Sequence, residues 1–452
     1  MRKAAVIGMV VTFAAGPAFG QPGGAAAPAT PARPPAAAVQ PAPAKPSAPA
    51  STPASRSAAA LALSTEPTFD EGTYQRLKET LLSYSSLQVR GGWPALPADA
   101  KLAPGSTGPN VALLRRRLAI TEDLAADKEQ GDVYDDGLTE AVKRFQLRHG
   151  LDATGSLGPK TLTALNVPIK RRLQQLQASL ERLVGMDFLF AQRYVVVNIP
   201  AAFAEAVADD KVERRYVVIV GKTDKRSPTL TASITSVNLN PTWTVPLSIT
   251  KNEVIAKMRK DPGYLSRMHM RVLDARDGEL DPQSIDWSSD RSPNFHVRQD
   301  SGTWNALGAV KIDMPNPYSV YMHDTNTRNL FAGDYRFLSH GCTRVDNVRD
   351  LAAWLLEETP GWNRDRIDAA IATGQRTDVR LTKKVPVAWV YLTGWVTRDG
   401  TVQFRDDVYD DDYDAPSPTA DASALMTDVR AGGFVAPRET REIKQGSYLD
   451  SR

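Results

Sequence analysis

Two side chains that can do nucleophilic chemistry lie close together in the sequence. Cys342, the only cysteine of the chain, stands in the string SHGCTR at 339–344, and His323 precedes it by nineteen residues. A cysteine attacks as the thiolate, and a nearby imidazole can take its proton and stabilise the anion. Gly341 lets the backbone approach a carbonyl closely, so that neighbouring amides can bind an oxyanion. The pattern predicts acyl transfer by Cys342 with His323 as its base.

The flanking residues predict the elements that would bring these two groups together. The apolar and aromatic string YSVYM at 318–322 predicts a strand that ends near His323, and a loop of about a dozen residues would lead to a turn that carries Cys342. Tyr321 lies two residues before His323, so on a strand both side chains face the same side. We therefore expect Tyr321 to form a wall of the site.

Short apolar runs bounded by Pro, Gly and Asn predict a mainly β unit around this site. The clearest runs are 194–199, 216–220, 233–239, 379–381 and 387–392. A polar stretch at about 251–300 interrupts them and is too long for a simple loop. It is either a lid over the site or a disordered insert, and its aromatic residues favour a structured lid.

Other interpretations of the same residues remain open. Cys342 could be a buried, unreactive thiol, and His323 a hydrogen-bonded core histidine. His323, His340 and Cys342 could also bind zinc, because both residue types are good zinc ligands. No fourth ligand stands at a familiar spacing, so we expect neither a metal nor another cofactor.

The composition is that of a globular protein and narrows the possible functions. Of 452 residues, 42% are hydrophobic and 24% charged, which excludes a wholly disordered chain and a multi-span membrane protein. A formal charge of only +3 gives no reason to expect nucleic acid as a partner. A single cysteine excludes an internal disulfide framework and a zinc site built from several thiolates.

The N-terminal residues predict export. A basic start, an apolar stretch and the small-residue signal Ala18-Phe19-Gly20 are typical of a secretory signal peptide over 1–20. An uncleaved membrane anchor is the alternative, because the apolar stretch is only a little shorter than anchors of ~17 residues. Residues 21–65, nearly all Ala, Pro, Gly and Ser, predict a disordered tether, and 413–452 predict a polar tail.

Apolar residues at helical spacing predict a small three-helix module at 107–167. Its inward positions are Val111, Leu114 and Leu118, then Leu138, Val142 and Phe145, then Leu162 and Leu165. The strings DGLTEAVKRFQ at 136–146, HGL at 149–151 and TG at 154–155 resemble the peptidoglycan-binding module of cell-wall enzymes. A generic three-helix bundle is the alternative.

The residues around the cysteine resemble the L,D-transpeptidase family, in which a His is followed some eighteen residues later by Ser/Thr-His-Gly-Cys. His323 and the residues from Ser339 to Cys342 match this pattern position by position. Arg344 fills the place where the family has Arg or Asn. The match gives the nucleophile and its base specific places in a known pattern.

Further strings are similar to the large Gram-negative branch of that family, which adds a capping insert and a peptidoglycan-binding module. They include NPTWTVP at 240–246, DPGYL at 261–265 and NALG at 305–308. One departure is Asp300-Ser301-Gly302, where the branch usually has Pro before the Gly. The resemblance implies an α+β multidomain fold: a mainly-β catalytic domain with a helical lid insert, a small three-helix domain and helical scaffold segments.

The predicted units follow one another along the chain. They are a signal peptide (1–20), a tether (21–65), a helical scaffold segment (66–106), the peptidoglycan-binding-like domain (107–167), a scaffold helix (168–190), the catalytic domain (191–376, with the lid at about 251–300), C-terminal strands that complete the scaffold (377–412) and the tail (413–452).

The resemblance also implies a reaction and a place for it. Cys342 would attack the carbonyl between the third and fourth residues of a tetrapeptide stem, release D-Ala and hold the stem as a thioester. The side-chain amine of meso-diaminopimelate on a neighbouring stem would then take the acyl group and form a 3→3 cross-link. The protein would act in the periplasm on peptidoglycan stems, bind the glycan through 107–167, and be acylated by carbapenem β-lactams.

The resemblance assigns roles to eight residues. The catalytic ones are Cys342, His323, His340, Gly341 and Asp324, and those that contact substrate are Tyr321, Arg344 and Ser339. The carbonyl of Asp324 would orient His323, and the amides from His340 to Cys342 would form the oxyanion hole. His340 contacts substrate or holds the turn, and Arg344 meets a substrate carboxylate or braces its loop.

Two other functions are alternatives to cross-linking. A cysteine hydrolase or carboxypeptidase of the same fold would act on peptidoglycan stems or on wall-linked protein, with water in place of the amine. A non-catalytic wall-binding scaffold would keep the fold without the chemistry.

Overall fold

The computed structural model describes residues 64–288 and 293–412. The predicted signal peptide, nearly all of the tether and the polar tail lie outside these ranges. Among the described residues, no helix combines the length and the apolar character that a membrane crossing requires.

The described part of the chain contains helices and strands throughout. The helices are α1 (Thr73–Val89), α2 (Pro109–Ile120), α3 (Asp136–Arg148), α4 (Pro159–Leu165), α5 (Ile169–Leu183), α6 (Leu247–Ile249), α7 (Ile255–Lys260), α8 (Tyr264–Arg267), α9 (Val348–Leu355) and α10 (Arg364–Ala372). The strands are β1 (Arg193–Asn198), β2 (Phe203–Ala208), β3 (Lys211–Gly221), β4 (Leu230–Leu239), β5 (Trp243–Thr244), β6 (Met270–Leu273), β7 (Glu279–Leu280), β8 (His296–Gln299), β9 (Val310–Asp313), β10 (Met322–His323), β11 (Phe337–Ser339), β12 (Thr343–Val345), β13 (Thr377–Val390), β14 (Gly394–Val396) and β15 (Val402–Phe404).

The three-helix module is present as α2, α3 and α4. Its core contains the apolar positions predicted from the helical spacing, among them Leu114, Leu138 and Phe145, each with 0% exposure. The side chain of Asp135 accepts a hydrogen bond from the Leu138 N–H and so caps the start of α3. The α+β fold with a separate small helical domain is therefore confirmed.

The mainly β unit is a nine-stranded sheet that closes on itself. Its strand order is β11-β3-β12-β10-β9-β4-β13-β1-β2, and an additional pairing joins β2 to β3. Side chains alternate along β1: Val195 and Val197 face the inner core. Tyr194 and Val196 face a second core that α1 and α5 share. A strand that is apolar on both faces is expected where one face fills a barrel and helices cover the other.

β13 changes one predicted boundary. It pairs with β1 on one side and β4 on the other, so residues 377–390 belong to the catalytic sheet, not to a scaffold completed by 377–412. Val387 and Trp389 point into the inner core, whereas Ala388 and Val390 pack toward the helices. Only the hairpin of β14 and β15 that follows packs outside the sheet, with Trp395, Val396 and Phe404 in the second core.

The polar insert is folded in its described part. It contains α6, α7 and α8 together with a four-stranded sheet in the order β5-β8-β6-β7, so it is not only helical. A small core supports it, formed by Val245, Val254, Met258, Leu265, Met270, Val272 and Val297. Its first strand begins at Trp243, before the expected start at 251, because the apolar string at 243–245 belongs to that core.

Candidate active site

The nucleophile and the predicted base come from neighbouring parallel strands. β10 and β12 pair with His323 opposite Arg344, and the Thr343 N–H donates to the Tyr321 carbonyl at 3.0 Å. Cys342 precedes Thr343 and therefore lies beside Tyr321. Because side chains alternate along a strand, Cys342 and His323 are diagonal neighbours on one face, roughly 7–8 Å apart at the backbone and within reach of an imidazole.

The backbone fixes the tautomer of His323. Its Nδ1 lies 2.5 Å from the Asp324 carbonyl oxygen, and a carbonyl only accepts, so Nδ1 carries the proton. Nε2 is left as the basic nitrogen. The contact that the resemblance implied between His323 and the Asp324 carbonyl is therefore present, while the catalytic role of His323 stays a prediction.

The carboxylate of Asp324 holds that carbonyl in place. It accepts from the Ala309 N–H at 2.9 Å and from the Arg328 guanidinium at 2.9 and 3.0 Å. Gly308 packs directly against it, since a Cβ at Gly308 would lie 2.4 Å from the Asp324 Cγ. The backbone carbonyl of Asp324 thus orients His323, and the carboxylate of Asp324 fixes the position of that carbonyl.

Tyr321 was expected to line the substrate site, and the structure places it in direct contact with Cys342. Its N–H and its hydroxyl are both hydrogen-bond partners of the Cys342 sulfur and favour the thiolate. Its ring lies edge-on to the His323 imidazole with the centroids 5.6 Å apart. The Trp243 side chain of the insert hydrogen-bonds Tyr321 in turn. Tyr321 therefore links the sulfur, the imidazole and the insert.

The resting thiol and imidazole are both neutral. Burial, partly offset by hydrogen bonds from Tyr321, raises the pKa of Cys342 to about 11. Burial, with the positive charge of Arg344 next, lowers the pKa of His323 to about 3. Both shifts have the same cause, because desolvation disfavours the charged form of each group.

The loop that carries the nucleophile is held by hydrogen bonds within it. The Ser339 hydroxyl donates to the Cys342 carbonyl at 2.5 Å and accepts from the Gly341 N–H at 3.2 Å. Ser339 therefore shapes the loop from a buried position. Gly341 has φ +110, a conformation that favours glycine. Its amide is engaged inside the loop, unlike those of His340 and Cys342, which donate to no described residue.

The side chain of His340 contacts the insert. Its Nε2 lies 2.7 Å from Oε1 of Glu253, a residue of the π-helical turn Thr250–Val254. This contact supports a turn-holding role for His340. Within residues 64–288 and 293–412, no group of three or more His, Cys, Asp or Glu side chains is placed to hold a metal ion.

Arg344 is a cation that pairs with no carboxylate among residues 64–288 and 293–412. Its side chain is half-buried on the face that carries Cys342 and His323, and burial lowers its pKa. Among the described residues it has no ion pair and no side-chain hydrogen bond. Since a buried guanidinium is normally paired, this one is available to an anionic ligand.

A groove extends from this face across β9, β4 and β13. Its volume is about 220 Å³, and its lining includes Trp243, Asn238, Lys311, Asp313, Tyr321 and Arg376. The sequence interpretation gave no role to Lys311, Asn238, Trp243 or Glu253. Lys311 and Asn238 could have been noticed because each is a polar residue between two buried apolar neighbours on its strand.

Family comparisons agree with this site. Residues 192–368 match the family model of the YkuD L,D-transpeptidase catalytic domain, and residues 107–165 match that of a "Putative peptidoglycan binding domain". The chain is similar to a "Putative L,D-transpeptidase" of Haemophilus influenzae, 34% identical over 213 residues, which cover 47% of this chain and 43% of the relative. It is also 27% identical over 114 residues to "Carboxy-terminal processing protease CtpA" of Bacillus subtilis, covering 25% of this chain and 22% of that protein.

The chain thus spans less than half the length of these curated relatives. Among solved structures, an L,D-transpeptidase from Xylanimonas cellulosilytica aligns at 16% identity and a TM-score of 0.21, over 65% of this chain and 98% of that one. One from Stackebrandtia nassauensis aligns at 13% identity and a TM-score of 0.25, over 66% and 97%. The match to the L,D-transpeptidase catalytic-domain model thus covers residues 192–368, and the match to the peptidoglycan-binding model covers residues 107–165.

Proposed function

We propose that this protein is a cysteine L,D-transpeptidase that forms 3→3 cross-links between peptidoglycan stems through a thioester on Cys342. The observation that carries the proposal is the placement of Cys342 and His323 on one face of adjacent strands, with Nε2 of His323 left basic by the Asp324 carbonyl. The match of residues 192–368 to the catalytic-domain model supports the same reaction class.

The first half-reaction acylates the enzyme. As the sulfur attacks the carbonyl between stem residues three and four, the thiol proton moves to Nε2 of His323. The Cys342 and His340 amides stabilise the oxyanion, since the Gly341 amide donates to Ser339. His323 then gives the proton to the leaving amine, and D-Ala departs as the thioester forms.

Substrate binding strengthens the base. The positive charge of Arg344 is, after burial, the main cause of the low pKa of His323. A substrate carboxylate that pairs with Arg344 cancels this effect and raises the pKa of the imidazole toward its ordinary range. Binding of the donor stem at Arg344 therefore favours proton transfer from the Cys342 thiol to His323.

The second half-reaction transfers the acyl group. The side-chain amine of diaminopimelate on another stem attacks the thioester carbonyl, and Nε2 of His323 takes its proton. The proton then passes to the departing Cys342 sulfur, which restores the starting state. A new amide bond joins the two stems, and the thioester bond is the one that breaks.

We also propose that the protein is exported and acts on the cell wall. The signal-peptide pattern of 1–20 supports export to the periplasm, and the module at 107–165 supports contact with peptidoglycan. Cell fractionation with N-terminal sequencing tests export. Sedimentation of the protein with purified sacculi tests wall binding.

Tetrapeptide muropeptides test the reaction. Wild-type protein is expected to give cross-linked dimers and free D-Ala, whereas Cys342→Ala gives neither. If tripeptides form without dimers, the protein hydrolyses the stem and does not transfer the acyl group to an amine. Exposure to a carbapenem followed by intact-mass measurement gives a second readout. If the wild-type protein forms neither a carbapenem adduct nor dimers, its function is that of a non-catalytic wall-binding scaffold.

A further inference from the structure

The polar groove beside Tyr321 is organised by strand register. β9 pairs with β10 so that Lys311 lies opposite His323, and with β4 so that Lys311 lies opposite Asn238. β4 in turn pairs with β13 so that Asn238 lies opposite Asp378. Residues opposite one another share a face, so this row leads from the imidazole across three further strands.

Asn238 has an unused acceptor in that groove. The residue is 7% exposed, and its amide nitrogen donates to Asp378 at 2.8 Å. Its Oδ1 is buried and has no hydrogen-bond partner in the part of the chain that the structure describes. Because a buried polar atom without a partner is costly, this oxygen indicates a ligand that brings an N–H.

Lys311 supplies the complementary charge next to the reacting groups. Its Nζ lies 4.6 Å from the centroid of the Tyr321 ring, and Tyr321 is the residue that contacts the Cys342 sulfur. Its ion pair with Asp313 is 2.6 Å long, with the two side chains 25% and 31% exposed. An ammonium has three donors, so Lys311 can hold Asp313 and a ligand carboxylate together.

We infer that this groove is the acceptor subsite and that Lys311 binds the carboxylate on the same carbon as the attacking amine. The inference rests on the proposed function and adds to it the groove and the lysine that recognise the acceptor. It places the amine at His323 and its neighbouring carboxylate at Lys311, the cross-strand neighbour of His323. Asn238 then accepts an N–H of the acceptor stem farther along the groove.

This arrangement gives a reason for acceptor selectivity. Diaminopimelate carries a carboxylate on the carbon of its side-chain amine, whereas lysine carries none there. The groove has a volume of about 220 Å³, several times that of a water molecule of ~30 Å³. It therefore has room for a carbon that carries both an amine and a carboxylate. The enzyme should therefore prefer the diaminopimelate acceptor through a charge-assisted hydrogen bond to Lys311.

A competition experiment tests the inference. A tetrapeptide donor whose own side-chain amine is acetylated is mixed with equal amounts of two tripeptide acceptors, which end in diaminopimelate or in lysine. Both acceptors compete for the same acyl-enzyme, so the ratio of the two dimers is independent of the acylation rate. Mass spectrometry measures the ratio, and intact mass measures the acyl-enzyme.

The wild-type ratio is expected to favour diaminopimelate by about tenfold or more. Lys311→Gln should bring the ratio close to one, and Lys311→Arg should restore it. Asn238→Leu should lower the yield of both dimers without changing their ratio. Arg364→Gln, which removes an exposed cation paired with Asp368 on α10, is the matched control and should change neither quantity.

Two failures are distinguishable. If the acyl-enzyme forms but the wild-type ratio is near one, or Lys311→Gln keeps the wild-type ratio, the inference is overturned and the proposed function stands. If the wild-type protein forms no acyl-enzyme, the proposed function fails and the inference falls with it.

Discussion

The active-site face and the junction beneath the three-helix module both bury guanidinium groups, but they treat them differently. At the junction, Arg148 forms an ion pair with the buried carboxylate of Asp123. Arg117 donates to the Leu165 carbonyl and lies over the Trp93 ring at 4.1 Å. Arg172 lies over the Phe404 ring at 4.5 Å. Every guanidinium there has protein partners.

At the active site, Arg344 has no such partner among the described residues. At the junction, burial, followed by the charge of Arg148, lowers the pKa of Arg117 to about 9, and the same two causes lower the pKa of Arg172 to about 9. The lesson is that burial alone does not mark a functional cation. A buried cation that stays unpaired beside a nucleophile does mark a functional site, because without a ligand it does not stabilise the fold.

Removing the counter-charge at the junction should have the largest effect on stability. Asp123→Asn removes the carboxylate that pairs with Arg148 and acts on Arg117, and we expect a loss of about 3–5 kcal/mol in unfolding free energy. Urea denaturation measures it. Asp334→Asn, at an exposed pair with Lys160, is the control and should change little. Equal effects for both variants would mean that Asp123 is not the counter-ion of the cluster.

Adding a methyl group at Gly308, next to the carboxylate of Asp324, should have the next largest effect on stability. Gly308→Ala places a Cβ 2.4 Å from the Asp324 Cγ at φ +59, which we expect to cost about 2–3 kcal/mol. Acylation should also slow, since the carbonyl that orients His323 moves. Gly374→Ala, at φ +69 with no neighbour within 4 Å, is the control for backbone strain alone. A wild-type acylation rate in Gly308→Ala would refute the bracing role.

The neutral imidazole makes the site sensitive to acid. Its folded pKa of about 3 lies below the unfolded value, so its stabilisation is present above about pH 6.5 and is lost as the pH falls toward 3. Between pH 7 and pH 5 we expect the wild-type protein to lose about 1–2 kcal/mol more stability than His323→Gln. Urea unfolding at both pH values measures the difference, and the half-buried His296 provides the control His296→Gln.

The neutral thiol adds a chemical readout to the same prediction. With a pKa of about 11 for Cys342, alkylation by iodoacetamide should be slow at pH 7 and should accelerate up to about pH 11, because only the thiolate reacts. A fast, pH-independent reaction between pH 5 and pH 8 would instead indicate a preformed ion pair with His323.

Neutralising Arg344 should have the smallest effect on stability and a clear effect on activity. We expect Arg344→Gln to change the unfolding free energy by less than about 1 kcal/mol, since the guanidinium has no protein partner to lose. Acylation by a stem with a free carboxylate should fall about tenfold, or about 1.4 kcal/mol. A loss of several kcal/mol in stability with unchanged acylation would make Arg344 a structural brace, like the junction arginines.

Local sequence was sufficient for the parts of the site that a few consecutive residues build. The motif at 339–344 pointed to the nucleophile loop, and the spacing to His323 pointed to the base. The Asp324 carbonyl was expected as the partner of His323 only because the family resemblance implies it. Short apolar runs likewise predicted strands of the sheet, and apolar residues at helical spacing predicted the three helices of the module, since each element must bury a face.

The remaining features depend on which strands become neighbours. Asn238, Lys311 and His323 are far apart in sequence and meet only through the register of β4, β9 and β10. The place of β13 in the middle of the sheet could not be read from its apolar pattern, because that pattern suits any strand buried on both faces. The contact between His340 and Glu253 likewise depends on where the insert folds back.

The amino-acid sequence by itself determined which groups are able to react, because a thiol, an imidazole and a glycine turn carry their chemistry wherever they stand. Only the tertiary structure decided their charge states and their ligands. Burial made Cys342 and His323 neutral, and strand register placed Lys311 beside them. The reason is physical: desolvation and cross-strand distance are properties of the packed chain, and no local string of residues contains them.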